Sequence, residues 1–110
     1  MAKKFKGRHL QILLALADEP RNGLEIMREV LETTEGRMTL WPGALYGSLR
    51  ELSKLGWVQE VPHESQVVRG GSPRYYRITG RGAEALREEL GHLAGVLAVA
   101  RRKKILGLEN

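Results

Sequence analysis

The stretch LWPGALYGSLRELSKLGW, residues 40–57, decides how this chain folds. Leu45, Leu49 and Leu52 fall at i, i+4 and i+7, the spacing of a helical stripe that faces a core. Pro42 suits the first turn of that helix, and Gly56 marks its end. The opposite face carries Gly43, Tyr46, Gly47, Arg50 and Lys54. A mid-helix glycine costs about 1 kcal/mol relative to alanine, so Gly47 is a stability loss in exchange for a smooth basic surface. The rest of the chain must account for what meets that surface.

Upstream, a first helix is expected from Gly7 to Asp18, with Leu10, Leu13, Leu14 and Ala17 as its stripe. Ile12 and Leu16 add apolar surface on the flank, and a helix that is apolar nearly all round is buried on more than one side. Pro20 stops it, because the residue before a proline avoids the helical region. Asn22-Gly23-Leu24-Glu25 then reads as a capping box, in which the Asn side chain caps and the Glu reaches back. The second helix carries Leu24, Met27, Val30 and Leu31 to about Thr33, with its glutamates outward. Gly36 ends that region, and Arg37–Leu40 is a short extended lead into Pro42.

After Gly56 the period changes. WVQEV (57–61) and RYYRIT (74–79) are rich in β-branched and aromatic residues, and about a dozen residues with Pro62, Gly70, Gly71 and Pro73 separate them. This is a two-stranded hairpin with a long tip. Tyr76 and Ile78 share a face with Arg74, while Tyr75 and Arg77 point the other way. Trp57 and Val58 are both apolar, which leaves the first strand's inward face open. Thr79 can cap a last helix running to about Leu106, whose seam is Ala83, Leu86, Leu90, Leu93, Leu97 and Ala100. Its alternating steps of three and four are those of helix-on-helix packing.

The 110 residues suit one domain that buries roughly 65% of its unfolded surface, without disulfides, since cysteine is absent. No stretch approaches the ~18 uninterrupted apolar residues of a membrane span, and nothing reads as a signal peptide, so a cytoplasmic protein is expected. The net charge of +5 is unevenly spread. Residues 22–36 carry Glu25, Glu29, Glu32 and Glu35 against Arg28, and residues 62–80 carry Arg69, Arg74 and Arg77 against Glu64. An acidic helix beside a basic hairpin suggests one face for a polyanion and one turned away.

Three helices, a two-stranded β-wing and a long terminal helix make a mostly α winged helix-turn-helix with a C-terminal extension. In such a fold the third helix enters a major groove and the hairpin lies along the backbone beside it. Gly43 and Gly47 would let the helix backbone approach a duplex closely. Arg50 is long enough to reach a guanine edge, Tyr46 and Lys54 can hold phosphate oxygens, and Arg69 and Arg74 flank the hairpin tip.

The segments LQILLALADEPRNGLEIMREV (10–30), LWPGALYGSLRELSKLGWV (40–58) and GGSPRYYRIT (70–79) resemble successive signatures of the PadR family of bacterial transcriptional regulators. The resemblance implies a winged helix-turn-helix, dimerisation through the C-terminal helix, and repression relieved by small molecules. By position, Pro42, Gly43, Leu45 and Tyr46 match the recognition-helix motif, and Gly71, Arg74, Tyr76, Arg77 and Thr79 match the wing. Ala44 stands where the family commonly has a hydroxyl residue, Trp41 replaces a small polar cap, and the last helix has no aromatic residue.

Enzyme readings lack their residues. There is no Gly-x-x-x-x-Gly-Lys-Ser/Thr loop and no Gly-x-Ser-x-Gly elbow, and His9, His63 and His92 are scattered. No catalytic residue, metal or cofactor is expected. The reading is a homodimeric regulator of double-stranded DNA, a repressor acting on a pseudo-palindromic operator, with room for a small hydrophobic effector. Residues 1–79 would form the DNA-binding domain and 80–110 the dimerisation helix. Its DNA-binding residues are Pro42, Gly43, Ala44, Tyr46, Gly47, Arg50, Lys54, Arg69, Arg74 and Arg77. Its dimer interface is Ile12, Leu16, Leu86, Leu90, Leu93, Leu97 and Ala100. The alternative is a winged-helix module that binds protein or ligand without operator binding.

Overall fold

A computed structural model describes residues 6–62 and 74–107. Helix α1 (Gly7–Ala15) lies at the centre and packs against each of the other three helices. That placement buries Ile12, Leu13, Ala15 and Leu16 inside the chain's own core. The helix ends at Ala15 rather than Asp18. After Pro20 the chain turns back, and Arg21 Nε donates to the Ala15 carbonyl at 2.7 Å, satisfying a carbonyl that helix termination would leave orphaned.

Arg21–Asn22 form a short strand, β1, that the sequence reading did not anticipate. It pairs antiparallel with β3 (Tyr75–Ile78), Arg21 opposite Tyr76 and Asn22 opposite Tyr75. On the other side of β3 lies β2 (Val58–Val61), with Val58 opposite Ile78. The expected two-stranded wing is therefore part of a three-stranded antiparallel sheet in the order β1-β3-β2. Trp57 and Val58 are both buried, because Trp57 belongs to the turn before the strand and Val58 to its inward face.

The capping box at the start of α2 (Gly23–Thr33) forms as expected: Glu25 N–H donates to Asn22 Oδ1 at 2.8 Å, and Asn22 N–H donates to Glu25 Oε1 at 2.9 Å. The stripe is the expected one only in part: Val30 is buried and Met27 packs on the core. Gly23, Ile26 and Val30 are buried, whereas Leu24 and Leu31 sit on the flank and are exposed. The step of three then four through Gly23 faces α1 and α3, and this leaves both leucines off that line.

Helix α3 (Pro42–Lys54) buries Leu45, Leu49 and Leu52 as its spacing requires. It ends in a Schellman turn: Gly56 N–H donates to Ser53 O at 3.0 Å and Trp57 N–H to Leu52 O at 2.9 Å. Gly56, at φ +76°, supplies the left-handed residue that the turn needs.

Helix α4 (Gly80–Arg102) starts at Thr79, whose hydroxyl accepts from Gly82 N–H at 3.1 Å. Gly82 is buried, and a Cβ there would overlap the Trp57 carbonyl, so only glycine lets α4 approach this closely. The helix stops at Arg102 rather than near Leu106, because Lys104 turns left-handed and Ile105 N–H returns to the Ala100 carbonyl. Its first turns pack on the domain and its remainder projects, which stretches the molecule to 56 Å along its longest axis. No helix among the described residues is long and apolar enough to cross a membrane.

Candidate nucleic-acid interface

The outward face of α3 forms one wall of an open groove of about 480 Å³ lined by Arg8, Gly43, Ala44, Gly47, Ser48, Arg50, Glu51 and Lys54. A Cβ added at Gly43 or at Gly47 would meet nothing within 4 Å. Neither glycine is there to relieve crowding inside the chain, in contrast to Gly23 and Gly82. The helix gives up stability on this face with no intramolecular return.

Arg50 and Lys54 are exposed on the groove, and among the described residues no carboxylate pairs with either. The groove's own carboxylate, Glu51, is already engaged: His9 Nε2 lies 3.0 Å from its Oε1 and Lys6 Nζ 3.3 Å from its Oε2. The His9 contact foremost, then Lys6, holds the Glu51 carboxyl below the usual carboxylate range, so it is ionised and locally balanced at neutral pH. The net field of the groove is positive.

Arg8 enters the groove from α1. Its Nε donates to Ser48 Oγ at 2.8 Å, and Ser48 is itself 1% exposed. Neither residue was anticipated. The contact spans 40 positions, and a lone arginine in a basic start such as KKFKGRH carries no local signal of it.

The other anticipated residues are dispersed around this face. Pro42 occupies the first turn of α3, and Trp41 precedes it without a side-chain cap, 71% exposed. Tyr46 is 42% exposed and leans on α2, where a Cβ at Gly23 would overlap its hydroxyl. Arg74, just before β3, and Arg77, on β3, are exposed, with Arg74 Nε 3.9 Å from Glu60 Oε2 and Arg77 Nη2 donating to Gln59 Oε1 at 3.2 Å. Arg69 and Gly71 fall outside the described residues.

The anticipated dimer seam divides. Ile12 and Leu16 are 0% and 1% exposed, so they cannot offer surface to a partner; the flanking apolar face of α1 is covered by α2, α3 and α4 of the same chain. Leu86, 5% exposed, is likewise consumed by the chain's own core. Beyond it Leu90, Leu93 and Leu97 are exposed, with Val96 and Val99 beside them, and Ala100 is half-buried.

A helix seated on two others by its leucine stripe, its far face open and basic, beside a small antiparallel sheet, defines a winged helix-turn-helix protein. Residues 12–88 match the Transcriptional regulator PadR-like family, and the chain belongs to it. It is thus a transcriptional regulator and not an enzyme. The fold is shared with a PadR family transcription regulator from Clostridium difficile (TM-score 0.73, 21% identity, 88% of this chain and 97% of that one covered). It is shared also with a PadR-like transcription factor from Bacteroides fragilis (TM-score 0.68, 26% identity, 86% of each chain covered). RosR of H. salinarum superposes with a TM-score of 0.71 at 24% identity over 98% of this chain and 93% of its own. No curated protein sequence matches this one.

Proposed function

We propose that this regulator is a homodimeric repressor that places α3 in the major groove of a pseudo-palindromic operator. The observation that carries the reading is the pair Gly43 and Gly47, which relieve no contact within the chain although Gly47, inside the helix, costs it stability. A surface that must come close to a large, rigid partner accounts for them, and Arg50 and Lys54 beside them make that partner a polyanion. Arg50 reads a base edge, and Lys54, Arg74 and Arg77 hold phosphates. Residues 1–79 carry this contact, in the cytoplasm where the DNA is, and residues 80–110 carry dimerisation through Leu90, Leu93 and Leu97.

An effector has a place to enter. Ala17, Ile78, Ala83, Leu86, Arg87 and Leu90 line an open, largely apolar groove of about 320 Å³ between the turn after α1, β3 and α4, within the size range of small-ligand sites. A small hydrophobic molecule there would press on the root of α4 and so on the spacing of two recognition helices.

Ala44, which offers no hydroxyl on the groove, favours a second reading: a protein- or ligand-binding module without an operator. Gel-shift titration against the chain's own upstream intergenic DNA and against random duplex, at several salt concentrations, separates the two. The regulator shows steep salt dependence and a sequence-specific component; the module shows at most weak non-specific binding.

A further inference from the structure

Arg8 is oriented in a way that the core does not require. Its Nε is fixed by a hydroxyl buried in α3, at 2.8 Å. A guanidinium is planar and carries five N–H donors, so anchoring Nε sets the plane and leaves the two Nη groups to be aimed. Among the described residues no carboxylate or carbonyl takes them, and Glu51, the carboxylate on the same groove, is held by Lys6 and His9. Arg8 lines the same groove as Arg50, Lys54, Gly43 and Gly47.

We propose that Arg8, positioned by Ser48, is a phosphate-binding residue of the DNA interface, contributed by α1 to the wall of the groove where Ala44 supplies no hydrogen-bond donor. The guanidinium fork meets two phosphate oxygens, and the contact is independent of base sequence. Because Ser48 lies on α3, the same hydrogen bond couples the phosphate grip to the placement of the recognition helix. This inference rests on the reading of α3 as the duplex-facing helix, and the test separates the two.

The probe is a fluorescently labelled random-sequence duplex titrated with the full-length chain over a range of salt concentrations. Arg8→Ala should lower the slope of log affinity on log salt by about 0.9. Low-salt affinity should fall by about tenfold. Arg8→Gln keeps a donor for Ser48 without the charge and guards against a folding defect; it should lose the same slope. Arg8→Lys keeps the charge, so the slope holds while affinity falls part of the way. Ser48→Ala should also weaken binding with the slope unchanged. Wild-type slopes for Arg8→Ala and Arg8→Gln, beside a loss of about 0.9 for Lys54→Ala, would overturn the role of Arg8 and leave the groove reading standing. If neither set moves the slope, both fall. Wild-type affinity for Ser48→Ala would overturn the positioning role.

Discussion

The hydroxyl of Thr79 donates to the Gly56 carbonyl at 2.6 Å and accepts from the Gly82 N–H at 3.1 Å. One side chain thereby ties the end of α3 to the start of α4, and Thr79 N–H adds a bond to the Trp57 carbonyl at 3.0 Å. Helix α3 and the projecting helix α4 are joined at a point where Gly82 admits no Cβ.

Thr79→Val keeps the shape and removes both hydroxyl bonds, leaving the Gly56 carbonyl and one α4 N–H unsatisfied. Urea unfolding should show a loss of about 1–2 kcal/mol, in line with a lost N-cap. Thr79→Ser should recover most of it. Equal stability of the Val and wild-type chains would show that water serves both groups as well.

Much of this frame was legible in the sequence, and what was legible was local. The capping box of Asn22 and Glu25, the cap at Thr79 and the stripe of Leu45, Leu49 and Leu52 each complete themselves within a turn or two of helix. The strand at Arg21–Asn22 is too short for any period and exists only because Tyr75 and Tyr76 return beside it. Ile12 and Leu16 are buried, as their apolar flank implies, but under the helices of their own chain and not under a partner. An apolar flank does not say whether the cover comes from the same chain or another, and a central α1 settled it. The Arg8–Ser48 contact was invisible for a related reason: a solvated arginine and an anchored one look alike until the fold brings the hydroxyl to it.

Gly47→Ala should separate stability from function. With nothing within 4 Å of the added methyl, the helix gains its full propensity, about 0.5–1 kcal/mol in a urea melt. Duplex affinity should fall if α3 meets DNA by this face as proposed, because the methyl stands on it. A variant that is more stable and binds equally well would remove the main support for the groove assignment.

Glu35 closes α2 at φ +52°, a left-handed position, with Gly36 N–H donating to the Leu31 carbonyl at 2.8 Å. A residue with a Cβ is strained there, and glycine is the usual occupant. Glu35→Gly should therefore raise stability or leave it level, within about 1 kcal/mol, despite the greater freedom of glycine in the unfolded chain. A clear loss in thermal unfolding would show that the Glu35 side chain makes up for its backbone.

The contacts of His9 and Lys6 with Glu51 set a pH window. The folded carboxyl titrates below its ordinary value of 4.5, so the unfolded chain takes up protons first as the pH falls. The stabilisation is whole above that ordinary value and disappears as the pH drops through the folded one. Denaturation midpoints of wild type and Glu51→Gln, measured from about pH 6 down to about pH 3, should converge toward the acid end. Midpoints that stay a constant distance apart would mean that the ion contacts add nothing.

The outer part of α4 presents Leu90, Leu93, Val96, Leu97 and Val99 between 38% and 52% exposed, on a helix whose root is already packed. Complete burial of such a side chain is worth roughly 1.5–3 kcal/mol, and about half of that remains to be gained here. A second copy of the same helix would cover the seam by two-fold symmetry, and would set two α3 helices against half-sites about 34 Å apart or a multiple of it. Sedimentation equilibrium at micromolar concentration should give a dimer. Leu93→Glu with Leu97→Glu should give a folded monomer, since neither leucine belongs to the chain's own buried core. The monomer should lose operator affinity far more than random-duplex affinity, because one half-site remains within reach of each chain while the paired geometry is gone. By contrast Leu86→Glu should unfold the domain, as its side chain is 5% exposed and packed within it. A wild-type chain that sediments as a monomer, or a double variant that still dimerises, would rule this arrangement out.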